Sequence, residues 1–254
     1  LKLNYSIKKD EGPQVVFIHG FLGSRHQWKA VFQLFKNSHS TLSIELPGHG
    51  TSEDPTDSYT MNELATEVHN ILKNEAFLSA HIIGHSMGGY VAATYNTMFP
   101  EQIQSLVLIN STAGPDVSMR IKERDRSILL MKKYKNTFVN MAITNLFNTH
   151  EREHHKDLIE AMKNNAIHIL ENSITQAILA MKNRPGSLKE LVKHSRAVLY
   201  IYGDKDPIVL SNSVKAEIYK LKASSKLLNC GHMSILTHPQ LIASTIEEWM
   251  INPV

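Results

Sequence analysis

The run Ala80-His81-Ile82-Ile83, followed at once by Gly84-His85-Ser86-Met87-Gly88-Gly89, constrains this chain more than any other stretch. It spells a β-branched strand, a turn and then a helix, the last marked by Tyr90, Val91, Ala93, Thr94 and Met98. Glycines stand two residues to either side of Ser86. A serine lifted clear of a sheet edge requires a reversal within one residue and a strained backbone at that serine. Side chains at positions 84 and 88 would then collide with the adjoining strand and helix. A G-x-S-x-G spacing in a strand–turn–helix setting is the arrangement that exposes a serine nucleophile.

The rest of the chain supplies the sheet this turn needs. Short apolar runs recur at Leu3–Ile7, Val15–Ile18, Thr41–Leu46, Ala80–Ile83, Ser105–Ile109, Ala197–Tyr202 and Lys226–Leu228. Between them lie helix-period stretches near Trp28–Phe35, Thr60–Asn74, Met87–Phe99, Ser211–Leu221 and Pro239–Met250. Such alternation predicts an α/β fold with a mostly parallel sheet covered on both faces. Thr60-Met61-Asn62-Glu63 has the form of a capping box, with Leu64, Val68, Ile71 and Leu72 forming one buried helix face.

The alternation fails over residues 115–194, where only helical periods occur, ended by Pro185-Gly186. The expected organisation is a core of residues 1–114 and 195–254 with a helical cap, 115–194, inserted between two strands as a lid. This insertion holds fourteen Lys and Arg against nine Asp and Glu, a surplus of five, whereas the remainder has a deficit of two. Solvated helix faces account for most of such a surplus, and a pull on anionic substrates is the other reading.

A serine hydroxyl needs a base, and the base needs a carboxylate to hold it. Both should follow later strands at the carboxyl edge of the sheet. Gly203-Asp204-Lys205-Asp206-Pro207 follows one such strand, and Cys230-Gly231-His232-Met233 follows the next. Asp204, directly after Gly203, suits a turn; Asp206 stands further out and is the expected acid. One strand earlier the chain reads Ile109-Asn110-Ser111, without a carboxylate. Among fourteen histidines, His232 is set apart by its place after the last strand, and His19 is expected to brace its own loop. Negative charge on a carbonyl oxygen needs fixed N–H donors. Met87 supplies one at a helix start, and Phe21, in His19-Gly20-Phe21-Leu22-Gly23-Ser24, the second.

These segments, with Leu46-Pro47-Gly48-His49-Gly50-Thr51-Ser52, resemble the α/β-hydrolase superfamily, and within it the small capped esterases. The resemblance implies a Ser86–Asp206–His232 triad, an oxyanion hole of the Phe21 and Met87 amides, and a cap. Serine at position 86 separates the chain from the dehalogenase and epoxide-hydrolase branches, which carry aspartate there. Three other functions stay open. Gly20-Phe21-Leu22-Gly23-Ser24 resembles the loop of menaquinone-pathway-type lyases, although Tyr90 stands where that group usually has arginine. A carbon–carbon bond hydrolase is the second, and a ligand-sensing protein acting by cap rearrangement the third.

The expected ligand is a small ester or acyl compound, neutral or anionic, with no cofactor or metal. A net charge of +3 does not call for nucleic acid, and no apolar run is long enough to cross a bilayer. No membrane partner is therefore expected, and the assembly state is expected to be a monomer or weak homo-oligomer. Leu1-Lys2-Leu3-Asn4-Tyr5 has no apolar leader core, and a chain opening on Leu1 is compatible with a trimmed terminus. The lone Cys230 suits a reducing cytoplasm and reads as a small packing residue.

Overall fold

The computed structural model describes residues 1–35, 38–193 and 197–251. Its centre is a seven-stranded sheet in the order β1-β3-β2-β4-β5-β6-β7. The strands are β1 (Tyr5–Lys8), β2 (Gln14–Ile18), β3 (Ser40–Ile44), β4 (Ala80–His85), β5 (Ile103–Ile109), β6 (Ala197–Gly203) and β7 (Ser224–Leu228). β1 runs antiparallel to β3, and every other neighbouring pair is parallel. The chain leaves β2 for β3 on one side, then crosses back past β2 to β4 and continues the other way. The crevice between the carboxyl ends of β2 and β4 is thus a topological switch point, where open α/β sheets bind ligands.

Ahead of β5 the chain forms helices α1 (Lys29–Phe35), α2 (Met61–Asn74) and α3 (Met87–Met98). The segment between β5 and β6, the insertion, contributes α4 (Ser118–Lys133), α5 (Lys135–Thr144), α6 (Thr149–His154), α7 (Lys156–Ala166), α8 (Glu171–Lys182) and α9 (Leu188–Leu191). The chain then forms α10 (Ser211–Leu221), α11 (Ser234–Thr237) and α12 (Pro239–Ile251). α2 packs on α3, which lies against β2, β4 and β5, while α10 packs on β6 and α1 on α12. Central strands are apolar and buried because helices lie on both sides: β4 is buried throughout, and Val15 to Ile18 have no exposed surface. Phe17 anchors the α1 face in a ring cluster with Trp28 at 5.1 Å and Phe35 at 5.7 Å between centroids.

All seven anticipated strands form, with shifted ends. β7 begins at Ser224 rather than Lys226, because Ser224 and Ser225 pair with Leu199 and Tyr200. An edge strand needs few apolar residues, so its first half carries no hydrophobic signal. β1 begins at Tyr5 because its ladder starts opposite Ile44, the last residue of β3. Between β5 and β6 every regular element among the described residues is a helix, and the two ends of this segment meet. The amides of Ser187 and Leu188 both donate to the Ala113 carbonyl, at 2.6 and 3.2 Å. Glu217 of α10 accepts from the amides of Ala113 (2.7 Å) and Gly114 (2.9 Å) and from the Tyr200 hydroxyl (2.9 Å). The expected boundary between 194 and 195 lies outside the described residues, as do residues 252–254. Among the described residues no helix is long and apolar enough to cross a membrane.

α2 opens with the full capping box: Glu63 N–H donates to Thr60 Oγ1 at 3.2 Å, and Thr60 N–H donates to Glu63 Oε2 at 2.7 Å. Replacing Thr60 with Ala should lower the unfolding free energy by about 1 kcal/mol. Urea titration followed by circular dichroism reads that loss, and an unchanged midpoint would contradict the cap.

Candidate active site

Ser86 sits between β4 and α3 with φ 52° and ψ −117°, a left-handed conformation that a non-glycine residue adopts only under restraint. The restraint comes from both sides. Ser86 N–H donates to the Ile109 carbonyl at 3.0 Å, and Ser111 Oγ donates to the Ser86 carbonyl at 2.7 Å. The flanking glycines are there because backbone fills the space. A Cβ on Gly84 would lie 2.3 Å from the Gly88 carbonyl oxygen, and one on Gly88 would lie 2.2 Å from that of Ile18.

The structure brings Ser86, His232 and Asp206 into one hydrogen-bonded line. Ser86 Oγ donates to His232 Nε2 at 2.8 Å, and His232 Nδ1 donates to Asp206 at 2.8 Å (Oδ2) and 3.0 Å (Oδ1). Since a carboxylate only accepts, this contact fixes the tautomer, leaving Nε2 free to take a proton. Asp206 is 5% exposed and His232 1%. Burial by itself would raise the Asp206 carboxyl. The charge and hydrogen bond of His232, with the amides of Val209 (2.9 Å) and Ile208 (2.8 Å), hold it below the usual carboxylate range. Asp204 is exposed, its amide tied to the Leu228 carbonyl at 2.9 Å, which is a turn residue's place.

The loop after β2 presses against the serine: a Cβ on Gly20 would come within 3.1 Å of Ser86 Cβ. The amides of Phe21 and Met87 donate to no protein acceptor among the described residues. Two buried, neutral histidines hold this loop. His19 Nδ1 donates to the Gly20 carbonyl (2.7 Å) while its Nε2 accepts from Leu46 N–H (3.0 Å). His49 Nδ1 donates to the Pro47 carbonyl (2.9 Å), and its Nε2 accepts from Leu22 N–H (3.1 Å). Burial drives His19 down to about 3 and lowers His49 as well. Neutrality is essential, because an imidazolium has no acceptor to offer either amide.

Three residues around the site were not singled out as functional by sequence reasoning. Asn110, in the left-handed region at φ 46°, donates from Nδ2 to Asp206 Oδ2 (2.9 Å) and to the Gly231 carbonyl (3.2 Å). Its place at the end of β5, where a carboxylate was looked for and not found, was the available signal. His85 Nε2 donates to the His232 carbonyl at 2.9 Å, and burial lowers His85 to about 3. Glu45, fully buried, accepts from the Thr51 amide (2.8 Å) and hydroxyl (2.7 Å) and lies 3.3 Å from Arg25 Nη1, shaping the 46–52 turn. Cys230 is buried, and its thiol is pushed up to about 12, chiefly by burial, so it is a poor nucleophile.

A cavity of about 270 Å³ opens over Ser86 and His232. Apolar walls come from Phe21 and Ile208 of the core and from Leu130, Phe138, Leu146 and Met181 of the insertion. Arg124, 7% exposed, also lines it and pairs with Asp116, which takes a second ion pair from Arg184 at 2.7 Å. Burial alone would raise the Asp116 carboxyl, but the two guanidiniums hold it below its ordinary value. The Arg184 guanidinium lies over the Tyr90 ring, 3.7 Å from its centroid. Among the described residues no three His, Cys, Asp or Glu side chains converge as a metal site requires.

Two outcomes follow from this geometry. Asn110→Ala removes one donor from the buried Asp206 carboxylate and should cost about 1–3 kcal/mol of stability, measured by urea unfolding. The second concerns pH. His19 and His85 stay neutral when folded down to about pH 3 but bind protons near 6.5 when unfolded, so acid favours the unfolded chain. Below about pH 6.5 each should remove on the order of 1 kcal/mol per pH unit, the loss ending near pH 3. Urea midpoints between pH 7 and 5 test this, and a flat profile would contradict it.

Comparison with known proteins agrees with the fold. The chain matches the family model for the alpha/beta hydrolase fold over residues 13–239. A putative 2-succinyl-6-hydroxy-2,4-cyclohexadiene-1-carboxylate synthase of Bacillus subtilis is 26% identical, covering 95% of this chain and 93% of its own. The dihydrolipoyllysine-residue acetyltransferase component of the acetoin cleaving system of Cupriavidus necator is 24% identical over 92% of this chain, which spans only 62% of that relative's length. Among solved structures, a thermophilic esterase from Thermogutta terrifontis superposes with a TM-score of 0.90 at 23% identity, covering 98% of this chain and 92% of that one. The family match, the sheet order and the serine turn between β4 and α3 together show that this chain belongs to the alpha/beta hydrolase fold family.

Proposed function

We propose that the chain is a serine hydrolase that cleaves carboxylic esters of small acyl substrates through an acyl-enzyme on Ser86. The observation that carries this reading is the unbroken line from Ser86 Oγ through His232 to the buried Asp206, opening onto an apolar cavity. In the acylation step His232 Nε2 takes the Ser86 proton as Oγ attacks the ester carbonyl carbon. The oxyanion accepts hydrogen bonds from the Phe21 and Met87 amides. His232 then returns the proton to the departing alkoxide, and water repeats the sequence to release the acid. Asp206 stays ionised and stabilises the imidazolium.

The helical insertion acts as a cap, contributing the distal walls of the cavity. At about 270 Å³ the space falls just under the ~300–1,000 Å³ of pockets for drug-sized ligands, which favours short acyl groups. One observation supports a second reading, a lyase or carbon–carbon bond hydrolase acting on an anionic substrate. Asp116 is one carboxylate between two buried guanidiniums, so a positive surplus remains beside Tyr90 at the cavity wall. A substrate carboxylate would answer that charge.

The test is steady turnover of p-nitrophenyl esters from acetate to octanoate. Activity should be highest at the short end, and Ser86→Ala should lose roughly 10⁴-fold or more in kcat. A fluorophosphonate should label the native chain at Ser86 and leave the variant unlabelled. Labelling without turnover on any ester would overturn the esterase reading.

A further inference from the structure

The loop that carries His232 is gripped from two directions. The core takes its carbonyls: Lys205 N–H donates to Cys230 O (3.1 Å), Asn110 to Gly231 O (3.2 Å) and His85 to His232 O (2.9 Å). The Cys230 amide stays with the Leu228 carbonyl at 3.0 Å, but the next two amides turn the other way, into the insertion. His232 N–H donates to the Leu146 carbonyl at 3.0 Å, and Gly231 N–H donates to Glu151 Oε1 at 2.7 Å.

Glu151 is a carboxylate only 4% exposed, on the six-residue helix α6. Its second oxygen accepts from Asn148 N–H at 3.0 Å, closing a capping box with the Asn148 side chain. An ordinary capping glutamate lies at the surface and spends its spare acceptor on water. This one is buried and bridges the first turn of α6 to the residue preceding the base. The approach is so close that a Cβ on Gly231 would stand 2.2 Å from Glu151 Oε2. The glycine of the Gly231-His232 step therefore serves the contact with the insertion. A charge-assisted bond from carboxylate to amide is also stronger than a neutral one.

We propose that Glu151 is a positioning residue, through which the helical insertion sets the orientation of the His232 ring against Ser86. Acting through the Gly231 amide, it makes the base competent only while the insertion is docked. This rests on the ester-hydrolase reading, since His232 is taken as the base of that reaction. No other charged side chain of the insertion hydrogen-bonds the 230–232 backbone among the described residues.

The experiment compares native protein with Glu151→Ala and Glu151→Gln, using p-nitrophenyl acetate kinetics and the downfield proton resonance of His232 Nδ1. In Glu151→Ala, kcat should fall about tenfold or more while KM stays within about twofold, and the resonance should broaden or shift. Glu151→Gln keeps an acceptor for the Gly231 amide and should recover kcat to within about threefold of native. Should Glu151→Ala fail to fold, Glu151→Asp carries the test. Its shorter carboxylate cannot reach Asn148 and Gly231 together, and kcat should again fall with KM held. Variants that melt lower yet keep native kcat and resonance would overturn the proposal, leaving Glu151 a staple for α6. If the native protein turns over no ester, the resonance still decides: unchanged in Glu151→Ala, it sinks the positioning role; shifted, it upholds that role while the ester reading falls.

Discussion

The Asp206 carboxylate is the point on which the geometry of the site depends. A negative charge with 5% exposure is costly unless its lone pairs are filled, and here the donors arrive from separate parts of the chain. His232 comes from beyond β7, Asn110 from the end of β5, and the Ile208 and Val209 amides from the turn after β6. These strand ends meet only if β5, β6 and β7 are in register, as the pairs Ile109–Ile201 and Gly203–Leu228 are. The register of these three strands thus lets one buried charge be satisfied and leaves His232 Nε2 facing Ser86.

The fold was legible in the sequence because its signals are local and redundant. β-branched runs, helical periods and the capping box at Thr60 each report on their own few residues. The contacts of the site residues were legible only in part. Ser86 announced itself because the turn demands glycines within two positions, and Asp206 and His232 followed from strand order. Asn110 carried only its place after β5, and Glu45 and Glu151 no mark at all. Their importance lies in partners 96, 6 and 80 residues away, and a polar residue next to a strand or on a short helix reads alike whether it faces water or a buried amide. Ser224 and Ser225 show the converse case, strand residues without an apolar signal because the strand is an edge.

The neutral histidine pair illustrates how stability is traded for geometry. His19 and His49 each give one proton and take one, tying the Gly20–Leu22 backbone to the 46–49 turn. Methyl-bearing residues would pack as well in that space, but they could not hold two amides. What the imidazoles add is the aim of the loop that faces Ser86.

The stem of the insertion has a consequence for how such chains diversify. With Ala113 bonded to Ser187 and Leu188, and Glu217 clamping Ala113 and Gly114, the segment leaves the sheet and returns to it at a single closed neck. Loop-closure entropy grows only slowly with length, so what hangs from the neck can be exchanged for a longer or shorter piece at little thermodynamic cost to the sheet. The exchange has conditions away from the neck, since Asn172 Nδ2 also donates to the Pro55 carbonyl at 2.7 Å and Ser173 Oγ to Asp54. On the positioning role proposed for Glu151, any replacement must also bring an acceptor to the Gly231 amide and a carbonyl to that of His232. Recombination at the neck is therefore free in length but bound at these remote seams, where a new segment must inherit old handholds.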